Sequence, residues 1–512
     1  MLTLPLRSRL TAALCWIVAS SLLSFAAAAQ ELNSRVERAI TAARLGNGKV
    51  GISILDTGSG RRLASLNADT PLIPASNQKL ISSGVALSVL GSDFVFKTEL
   101  ILSGQTLIVK GAGDPGLGDP KLLGQVAGDP ITVDRLVAML ASAVQNAGVT
   151  SLDEIVIDDT VFDREFVHAS WPVSQLNRWY CAEVAGLNFH TNVLSVYVRP
   201  TKLGDAPLVR LQPHSPWMEL QNNARTVATG ENTTWIARPN TANRFTLYGD
   251  VRHPSQAPVD VTVHNVPIFF GRLLAQSLLD AGVRVGGIVN AADASRAPVR
   301  TRALDEPAPV GTRTIAVVTT QISDVLTRCN ADSQNLYAEA LLKRAGHHVT
   351  GDPGSWSNGA AVARMVMSER VGPDAAAATV IADGSGMSRL NRVSADTMVR
   401  WLQAIAQQTE IRETFVQSLA TVGTGTLSRR FREYRPANAL YAKSGAIDGV
   451  RCLSGYLVHG PTGRTVAFAV LCNDLATGEA TTNALKLHEQ IVRIADEWLT
   501  TQANADASVF GG

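Results

Sequence analysis

The stretch from Ser76 to Leu90 constrains the fold more than any other part of the sequence. Pro71 and Pro74 interrupt the chain before it, and the residues that follow are apolar or small on nearly every side, which predicts a helix with little polar face. A helix of that kind has to lie inside the protein, covered by other elements. A chain of 512 residues with a hydrophobic fraction of 46% can provide that cover, and its length suggests about three domains.

The charge balance argues against two classes of protein. The chain carries 46 Lys and Arg against 44 Asp and Glu, a formal net charge of +2, so it has no basic excess to neutralise the phosphates of a nucleic acid. Ample apolar content at a net charge near zero also argues against intrinsic disorder. Only nine of the cationic residues are Lys, which makes a Lys within a motif informative.

The start of the chain predicts a secretory signal peptide. Arg7 and Arg9 supply positive charge, Leu10 to Phe25 is mostly apolar, and Ala26 to Ala29 offers small residues for cleavage before Gln30. The alternative is an uncleaved anchor. We expect an exported, periplasmic protein without a stable membrane anchor, because no later stretch is long and apolar enough to cross a bilayer.

Strand-like and helix-like patterns divide the chain into regions. Val50 to Leu55 and Arg62 to Leu66 predict a hairpin, and short strand-like runs broken by Pro, Gly and Asn dominate from about Phe94 to Pro309. Helical patterns return after about Thr314. Three strands and a last helix are predicted near the C-terminus, at Ala439 to Lys443, Val450 to Leu457, Thr465 to Cys472 and Thr481 to Thr500.

Ser76-Asn77-Gln78-Lys79 is an S-x-x-K pattern at the start of the predicted buried helix. Positions i and i+3 share one face of a helix, so the Lys79 amine can reach the Ser76 hydroxyl. A serine hydroxyl is a weak nucleophile until a neighbouring base takes its proton, and a lysine serves as that base when burial or another cation lowers its pKa. Taken alone, the pattern also fits a surface Lys near a helix start.

Two further patterns favour chemistry at Ser76. Ser333-Gln334-Asn335 is an S-x-N at the start of a predicted helix, and Lys443-Ser444-Gly445 lies on a predicted strand, where the Gly allows close backbone approach. Their order and contexts match the S-x-x-K, S-D-N and K-T-G set of serine enzymes that handle penicillins. The three patterns together predict a serine acyl-transfer site.

Through these motifs the chain resembles the low-molecular-mass class C penicillin-binding proteins, which are D-alanyl-D-alanine carboxypeptidases/endopeptidases. The gap of 257 positions between Ser76 and Ser333 fits this family, in which accessory domains are inserted there. Further stretches that carry the resemblance are GAGDPGL (Gly111 to Leu117), IVIDDTVFD (Ile155 to Asp163), NADSQNLYAE (Asn330 to Glu339), DGSGMSRLNRVS (Asp383 to Ser394), VGTGTLSRRF (Val422 to Phe431) and AKSGAIDGVRCLSGY (Ala442 to Tyr456).

The resemblance implies an α/β (α+β) fold. It consists of an interrupted serine transpeptidase/β-lactamase-like domain, with helices on an antiparallel sheet, and inserted β-rich accessory domains. The expected divisions are the signal peptide at 1–29, the first part of the transpeptidase-like domain at 30–93, the insertion at 94–310, the second part at 311–503 and a flexible tail at 504–512.

The resemblance also implies catalytic roles, carried over by motif position. Ser76 is similar to the acylated nucleophile of the family and Lys79 to its general base. Ser333 corresponds to the residue that relays a proton toward the leaving group. The backbone N–H groups of Ser76 and Ala446 correspond to the oxyanion hole.

Substrate-binding roles follow in the same way. Asn335 corresponds to the residue that hydrogen-bonds the substrate backbone. Lys443 and Ser444 correspond to those that receive the terminal carboxylate of D-Ala, with Lys443 also tuning the local field and Gly445 completing the motif. Gln334 departs from the usual Asp, and Ser444 departs from the usual Thr while keeping its hydroxyl.

Three more residues are expected near the cleft on the strength of the resemblance. Met387 lies in the DGSGMS stretch, which borders the cleft in this family, and Trp171 and Tyr180 come from the insertion. The alternative for all three is plain core packing.

Other motif matches carry no function. Gly111 to Gly116 matches G-x-G-x-x-G, but Pro115 and Pro120 forbid the helix that would hold a pyrophosphate. Glu183 resembles the deacylating Glu of class A β-lactamases at a spacing that is one residue too long, which we take as coincidence. Neither C-x-x-C nor H-E-x-x-H occurs, so we expect no metal site.

Four cysteines remain after the predicted cleavage, and an exported protein can oxidise them in three pairings. They are Cys181, Cys329, Cys452 and Cys472. Cys452 and Cys472 lie on two predicted strands around a turn and could face each other. Four buried free thiols are the alternative.

The sequence therefore predicts a serine DD-peptidase that hydrolyses the D-Ala-D-Ala bond of peptidoglycan stem peptides through an acyl-enzyme on Ser76, with D-Ala cross-links as a further substrate. No metal or organic cofactor is implied. β-Lactam antibiotics are expected as covalent inhibitors, because they resemble D-Ala-D-Ala. The alternatives are a β-lactamase, disfavoured by the long insertion and the missing deacylating Glu, and a non-catalytic cell-wall-binding protein.

Overall fold

The computed structural model describes residues 28–126, 128, 130–307, 309–476 and 478–510. Within these ranges, residues 28–80, 367–380 and 389–510 form one compact unit, and residues 81–366 and 381–388 form a second. The predicted domain divisions after residues 93 and 310 stay predictions. The predicted signal peptide lies outside the described residues except for its last two positions, and no described helix is both long and apolar enough to span a bilayer.

The helices and strands are numbered in chain order. The helices are α1 (28–42), α2 (Gln78–Leu90), α3 (Pro120–Leu123), α4 (Val133–Asn146), α5 (Val266–Asp280), α6 (Ile322–Asn330), α7 (Asn335–Thr350), α8 (Trp356–Val371), α9 (Pro373–Ala377), α10 (Ala395–Ala406), α11 (Thr409–Gln417) and α12 (Glu479–Phe510). The strands are β1 (Lys49–Asp56), β2 (Arg62–Leu66), β3 (Val95–Ser103), β4 (Thr106–Lys110), β5 (Ser151–Leu152), β6 (Glu154–Asp158), β7 (Val193–Arg199), β8 (Leu208–Gln212), β9 (Glu219–Asn222), β10 (Arg225–Thr226), β11 (Trp235–Ala237), β12 (Arg244–Tyr248), β13 (Asp250–Val251), β14 (Val259–Thr262), β15 (Arg284–Val285), β16 (Val299–Thr301), β17 (Thr312–Gln321), β18 (Ala439–Ile447), β19 (Val450–Val458) and β20 (Thr465–Asn473).

Five antiparallel strands form the sheet of the first unit, in the order β18-β19-β20-β1-β2. β1 and β2 make the hairpin that the sequence predicts, with Ile52 opposite Leu66. On its other side, Ile52 faces Val470 of β20. β1, β19 and β20 are buried along nearly their whole length, which agrees with their almost continuous apolar sequences.

Helices α10 and α12 cover opposite faces of this sheet. On one face the Tyr456 hydroxyl donates to the Leu402 carbonyl of α10 at 2.7 Å. On the other, Cys472 Sγ lies 3.8 Å from His488 Nε2 of α12. Tyr456 pairs with Ala467 of β20, and side chains alternate along a strand, so Cys472 points away from Tyr456. The arrangement is the predicted one, helices on an antiparallel sheet.

The predicted buried helix is α2. Every residue from Gln78 to Leu87 is buried. In the first unit its Leu80 carbonyl accepts from Trp401 Nε1 at 2.9 Å. In the second unit the Ser82 hydroxyl donates to the Gly384 carbonyl at 2.7 Å. The prediction of a buried helix is confirmed, because the burial extends over these ten consecutive residues, including the polar Lys79 and Ser82.

A five-stranded mixed sheet organises the second unit, in the order β16-β6-β4-β3-β17. β3 is antiparallel to β4 and β17, whereas β6 is parallel to β4 and β16. Helices α4 and α5 pack on this sheet, and Leu100, Val109, Ile155 and Phe270 belong to one buried cluster. Four smaller sheets of two or three strands complete the described part of the unit. The predicted α/β (α+β) class with a strand-rich insertion is thereby confirmed.

The cysteines of the described residues are buried free thiols: Cys181, Cys329, Cys452 and Cys472. The pairing considered for Cys452 and Cys472 is wrong. In the β19–β20 ladder Cys452 pairs with Leu471, and Cys472 pairs with Arg451. This offset of one residue turns the two side chains to opposite faces of the sheet, where no disulfide can join them.

The last helix, α12, continues to Phe510 and passes the predicted end near Thr500. The residues between those positions include neither Gly nor Pro, so the sequence holds no signal that would stop the helix there. The flexibility predicted for residues 504–512 stays a prediction, and residues 511 and 512 lie outside the described ranges.

Candidate active site

The segment that carries the S-x-x-K pattern is a tight turn that leads into a helix. Ala75–Asn77 forms a single 3-10 turn, and α2 follows directly from Gln78. Ala75 is fully buried and has a φ of +46°, a conformation that residues with a Cβ adopt rarely. Ser76 is half-buried. Packing around Ala75 therefore holds the backbone in a defined turn, with the Ser76 hydroxyl at the start of the helix.

Lys79 lies one helical turn after Ser76, and its side chain is fully buried. Its Nζ donates a hydrogen bond to Ser76 Oγ at 3.2 Å. That distance is within the reach required of a base and its nucleophile. The geometry agrees with the helical spacing from which the pair was predicted.

Strand β18 carries the K-S-G pattern along the edge of the first unit's sheet. A methyl group at Gly445 would lie 2.8 Å from the Pro74 carbonyl oxygen and 3.0 Å from the Ser76 nitrogen. Only glycine allows this approach, so Gly445 brings the strand against the backbone of the Ser76 turn.

The neighbouring residues of β18 differ in burial. Lys443 is fully buried, and its Nζ donates to the Ser444 carbonyl at 2.8 Å. Ser444 is half-buried and Ala446 is exposed. The strand thus presents a buried cation followed by two residues that solvent can reach.

Asn77 and Ser454, which the sequence analysis did not single out, connect the Ser76 turn to the sheet by a hydrogen bond. Asn77 Nδ2 donates to Ser454 Oγ at 2.6 Å, and both side chains are buried. Ser454 stands directly opposite Lys443 in the β18–β19 ladder. Asn77 lies inside the S-x-x-K pattern and Ser454 lies in the stretch Ala442 to Tyr456 that carries the resemblance, but neither was assigned a role from the sequence.

The S-x-N pattern lies in the second unit, at the start of α7. Ser333 is half-buried with a φ of +63°, and Asn335 is the first residue of the helix. Asn335 Nδ2 donates to the Tyr180 carbonyl at 2.8 Å and lies 3.8 Å from Met387 Sδ. The structure thus brings Asn335, the Tyr180 backbone and Met387 together, while the expected positions of Tyr180 and Met387 at a substrate cleft stay predictions.

A network of charges holds the turn before α7. Arg328 donates to Asp119 at 2.8 Å and to Asp332 at 2.6 Å. Lys121 also donates to Asp332 at 2.6 Å, and the Tyr337 hydroxyl donates to Asp119 at 2.5 Å. Burial alone would raise the pKa of Asp332, but hydrogen bonds from Lys121 and Arg328 outweigh it and lower that pKa. Asp332 therefore stays ionised next to Ser333.

Two buried carboxylates shape the DGSGMS loop that carries Met387. Glu339 accepts from the backbone nitrogens of Gly384 and Ser385 at 2.7 and 2.8 Å, and from Trp356 Nε1 at 2.8 Å. Burial first, and then the charge of Asp383, raise the pKa of Glu339 to about 7.

Asp383 is the second of these carboxylates. It accepts from the backbone nitrogens of Gly386 and Ser388 at 2.9 and 2.6 Å, and from Trp171 Nε1 at 2.9 Å. Trp171 is buried, so its side chain supports the loop from within the second unit. Glu339 and Asp383 were not singled out from the sequence, although both lie in stretches that carry the resemblance.

The two matches set aside in the sequence have structural roles. Glu183 is buried, and its carboxylate accepts from His264 Nδ1 at 2.7 Å and from the Asn265 nitrogen at 2.8 Å, at the start of α5. In the G-x-G-x-x-G match, a methyl group at Gly111 would lie 2.4 Å from the Gly186 carbonyl oxygen. That glycine therefore serves close packing of two backbone segments.

The predicted site residues are divided between the two units. The first unit holds Ser76, Lys79, Lys443, Ser444, Gly445 and Ala446, and the second holds Ser333, Asn335 and Met387. Within the first unit, the structure brings Ser76, Lys79 and the K-S-G strand together. Within the second, it brings Asn335 and Met387 together.

Residues 32–497 match the sequence model of a family described as the D-Ala-D-Ala carboxypeptidase 3 (S13) family. The chain is also 32% identical, over 450 residues, to a D-alanyl-D-alanine carboxypeptidase of Actinomadura sp. (strain R39), and the aligned part covers 83% of this chain and 77% of that one.

Two solved structures share the fold. Penicillin binding protein 4 (dacB) from Haemophilus influenzae matches with a TM-score of 0.67 at 19% identity, covering 91% of this chain and 99% of that one. The structure of the same protein in complex with a β-lactam matches with a TM-score of 0.65 at 18% identity and the same coverage.

Proposed function

The chain belongs to the D-Ala-D-Ala carboxypeptidase 3 (S13) family and is a serine-type D-alanyl-D-alanine carboxypeptidase, and from this premise we propose that it cleaves peptidoglycan stem peptides through an acyl-enzyme on Ser76. The observation that carries the proposal is the buried Lys79 amine, 3.2 Å from Ser76 Oγ. That separation is within the reach that a base needs to take the proton of a hydroxyl.

In the proposed acylation step, Ser76 Oγ forms a bond to the carbonyl carbon of the penultimate D-Ala while Lys79 takes the hydroxyl proton. The bond from that carbon to the nitrogen of the terminal D-Ala then breaks, and Ser333 relays the proton to the departing nitrogen. Water hydrolyses the resulting ester and regenerates Ser76.

The remaining residues bind the substrate in this proposal. The backbone N–H groups of Ser76 and Ala446 stabilise the oxyanion, which requires β18 to lie against the Ser76 turn, as Gly445 permits. Lys443 and Ser444 receive the terminal carboxylate. Asn335 hydrogen-bonds the peptide backbone, and the adjacent Met387 contacts the substrate.

Purified muropeptides test this proposal. Incubation with the enzyme should release D-Ala from pentapeptide stems, detected by mass spectrometry of the products, and should also open D-Ala cross-links, whose D-Ala carbonyl presents the same geometry. Intact pentapeptides after incubation with folded enzyme would contradict the carboxypeptidase reaction. Intact dimers beside trimmed pentapeptides would contradict only the cross-link reaction.

We also propose that β-lactams acylate Ser76 and that the resulting ester is hydrolysed slowly. Support comes from the mimicry of D-Ala-D-Ala by these drugs, and from Glu183, whose two carboxylate oxygens are both occupied by hydrogen bonds of the second unit's own residues. Fluorescent penicillin should stay attached to the wild-type chain after denaturation, and it should not label the Ser76→Ala variant. Rapid multiple turnover of benzylpenicillin would favour the β-lactamase alternative, and absence of any label would favour the non-catalytic one.

A further inference from the structure

The second unit has a cavity of about 730 Å³ that the proposed reaction does not use. The outward face of β3 and β4 lines one part of it with Lys97, Glu99 and Lys110. The side chains of Arg344 and His347, which are one turn apart on α7, line another part. The cavity is large enough for a ligand of several non-hydrogen atoms, since small-molecule sites typically span about 300–1,000 Å³.

Arg344 is the unusual residue of this cavity. Its Nε and Nη1 atoms are buried, and the guanidinium makes no hydrogen bond or ion pair with any residue that the structure describes. The nearest compensation is the Phe94 ring, whose centroid lies 5.1 Å from the Arg344 Cζ atom. Burial lowers the pKa of this guanidinium, which reflects its loss of water. Arg344 as a whole is half-buried, and leaving two of its donors buried without an acceptor is costly, which suggests a ligand of opposite charge.

The other charges of the cavity leave it positive. Arg302 is neutralised by Asp158 at 2.8 Å. Glu99 stands opposite Lys110 in the β3–β4 ladder, where the charges offset each other. Lys97 and Arg344 remain, and Lys97 forms no salt bridge within the described residues. Two cations without acidic partners are complementary to an anion.

We propose that this cavity binds the carboxylate of a short peptide, with the Arg344 guanidinium as its principal contact. Nη2 is the guanidinium nitrogen of Arg344 that is not buried, and it can donate a charge-assisted hydrogen bond to a carboxylate oxygen. The cavity is also lined by Val95, Ile101 and Ile108, which would contact the aliphatic part of such a ligand. A bare inorganic anion would leave this apolar surface uncovered.

Stem peptides of peptidoglycan supply ligands of this chemistry, because they carry free carboxylates along the chain. This choice of source rests on the proposed function, whereas the carboxylate chemistry of the cavity does not. A stem held here would tether the enzyme to the wall at a second point, in addition to the stem being cleaved.

Isothermal titration calorimetry with the tripeptide L-Ala-γ-D-Glu-L-Lys tests the proposal. This probe has free carboxylates and lacks the D-Ala-D-Ala bond, so it is not consumed. The wild-type chain should bind it, Arg344→Gln should bind it about tenfold or more weakly, and Arg344→Lys should recover part of the loss. Arg135→Gln, the same change at an exposed position of the same unit, should bind like the wild type.

Four companion measurements make the test more specific. The tripeptide with its carboxylates converted to amides should not bind, and inorganic phosphate should bind far more weakly than the tripeptide. Without ligand, Arg344→Gln should melt at or above the wild-type temperature, because it removes an uncompensated buried charge. Its hydrolysis of a small D-Ala-D-Ala peptide should stay within about twofold of wild type, while the affinity for the tripeptide falls.

Several results would overturn the site. These are equal binding of the tripeptide by Arg344→Gln and wild type, binding of the amidated peptide, phosphate binding as tight as the tripeptide, or a lower melting temperature for Arg344→Gln. If Arg344→Gln lost hydrolysis and tripeptide binding to the same extent, the cavity would not be a site separate from the active site. Failure of the proposed function is distinguishable, because the wild type would then leave the D-Ala-D-Ala peptide intact while still binding the tripeptide through Arg344.

Discussion

Ser76 and Lys79 show how one helical turn places a lysine amine beside a serine hydroxyl. The Lys79 side chain is fully buried, and its amine is hydrogen-bonded to the nucleophile at 3.2 Å. A base has to lie within hydrogen-bond reach of the proton that it removes, and this pair meets that condition.

Substitutions at this pair test the assignment of roles. Ser76→Ala should abolish peptide cleavage and penicillin labelling, because no other hydroxyl replaces the acylated one. Lys79→Ala should reduce kcat/KM by about 10²–10⁴-fold, the range expected for a missing general base. Lys202→Ala, at an exposed lysine, should leave steady-state hydrolysis unchanged. Wild-type rates in a folded Ser76→Ala chain would refute the mechanism.

At the scale of elements, the approach of strand β18 to the Ser76 turn decides the geometry around Ser76 within the first unit. The approach depends on the missing side chain of Gly445, which leaves room for the Pro74 carbonyl and the Ser76 nitrogen. Any Cβ at this position has to push strand and turn apart. The oxyanion hole proposed for Ser76 and Ala446 would widen with it.

Gly445→Ala should therefore lower stability by about 1–3 kcal/mol, the usual cost of overpacking. Acylation by penicillin should fall more than this loss of stability explains, because the oxyanion donors move apart. Gly460→Ala is the matched control, since a methyl group there meets no atom within 4 Å. Thermal melting and labelling rates measure both effects. Equal behaviour of the two variants would contradict the close approach.

The loop that carries Met387 is an element whose stability should depend on pH. Glu339 has a pKa of about 7 in the folded chain, raised from 4.5 by burial and then by Asp383. A carboxyl group with a raised pKa favours the folded state most strongly when it is protonated. That contribution is complete below about pH 4.5 and is lost as the pH rises through about 7.

Glu339→Gln is neutral at every pH and should not show this loss. The melting temperature of wild type minus that of Glu339→Gln should be largest at about pH 4.5 and below, and should shrink as the pH rises toward 7.5. Glu231→Gln, at an exposed glutamate of the same unit, should follow the wild type over the whole range. A difference that is constant with pH would show that the Glu339 carboxyl does not titrate in this range.

At the scale of the whole molecule, the proposed reaction requires the enzyme to reach the cell wall. We propose export to the periplasm, supported by the charged and apolar pattern of the first 29 residues and by the peptidoglycan substrate of the proposed reaction. The mature chain should begin near Gln30 and should be released with the periplasmic fraction, as shown by intact-mass measurement. A chain that begins at Met1 and stays with salt-washed membranes would favour the uncleaved anchor instead.

The sequence by itself determined the features that depend on short spacings along the chain. The S-x-x-K pair, the buried helix α2 and the β1–β2 hairpin follow from the periods of helices and strands, which act over a few residues. The family resemblance extended this to the order of the motifs and to the fold class.

Only the tertiary structure decided the contacts between distant segments. It placed Gly445 against Ser76, fastened Asn77 to Ser454, and paired β19 with β20 in a register that separates Cys452 from Cys472. It also left the Nε and Nη1 atoms of Arg344 buried without a hydrogen-bond partner among the described residues. Such contacts depend on strand register and side-chain packing. A shift of one residue in the register moves each side chain to the other face of the sheet, although no local pattern of the sequence changes.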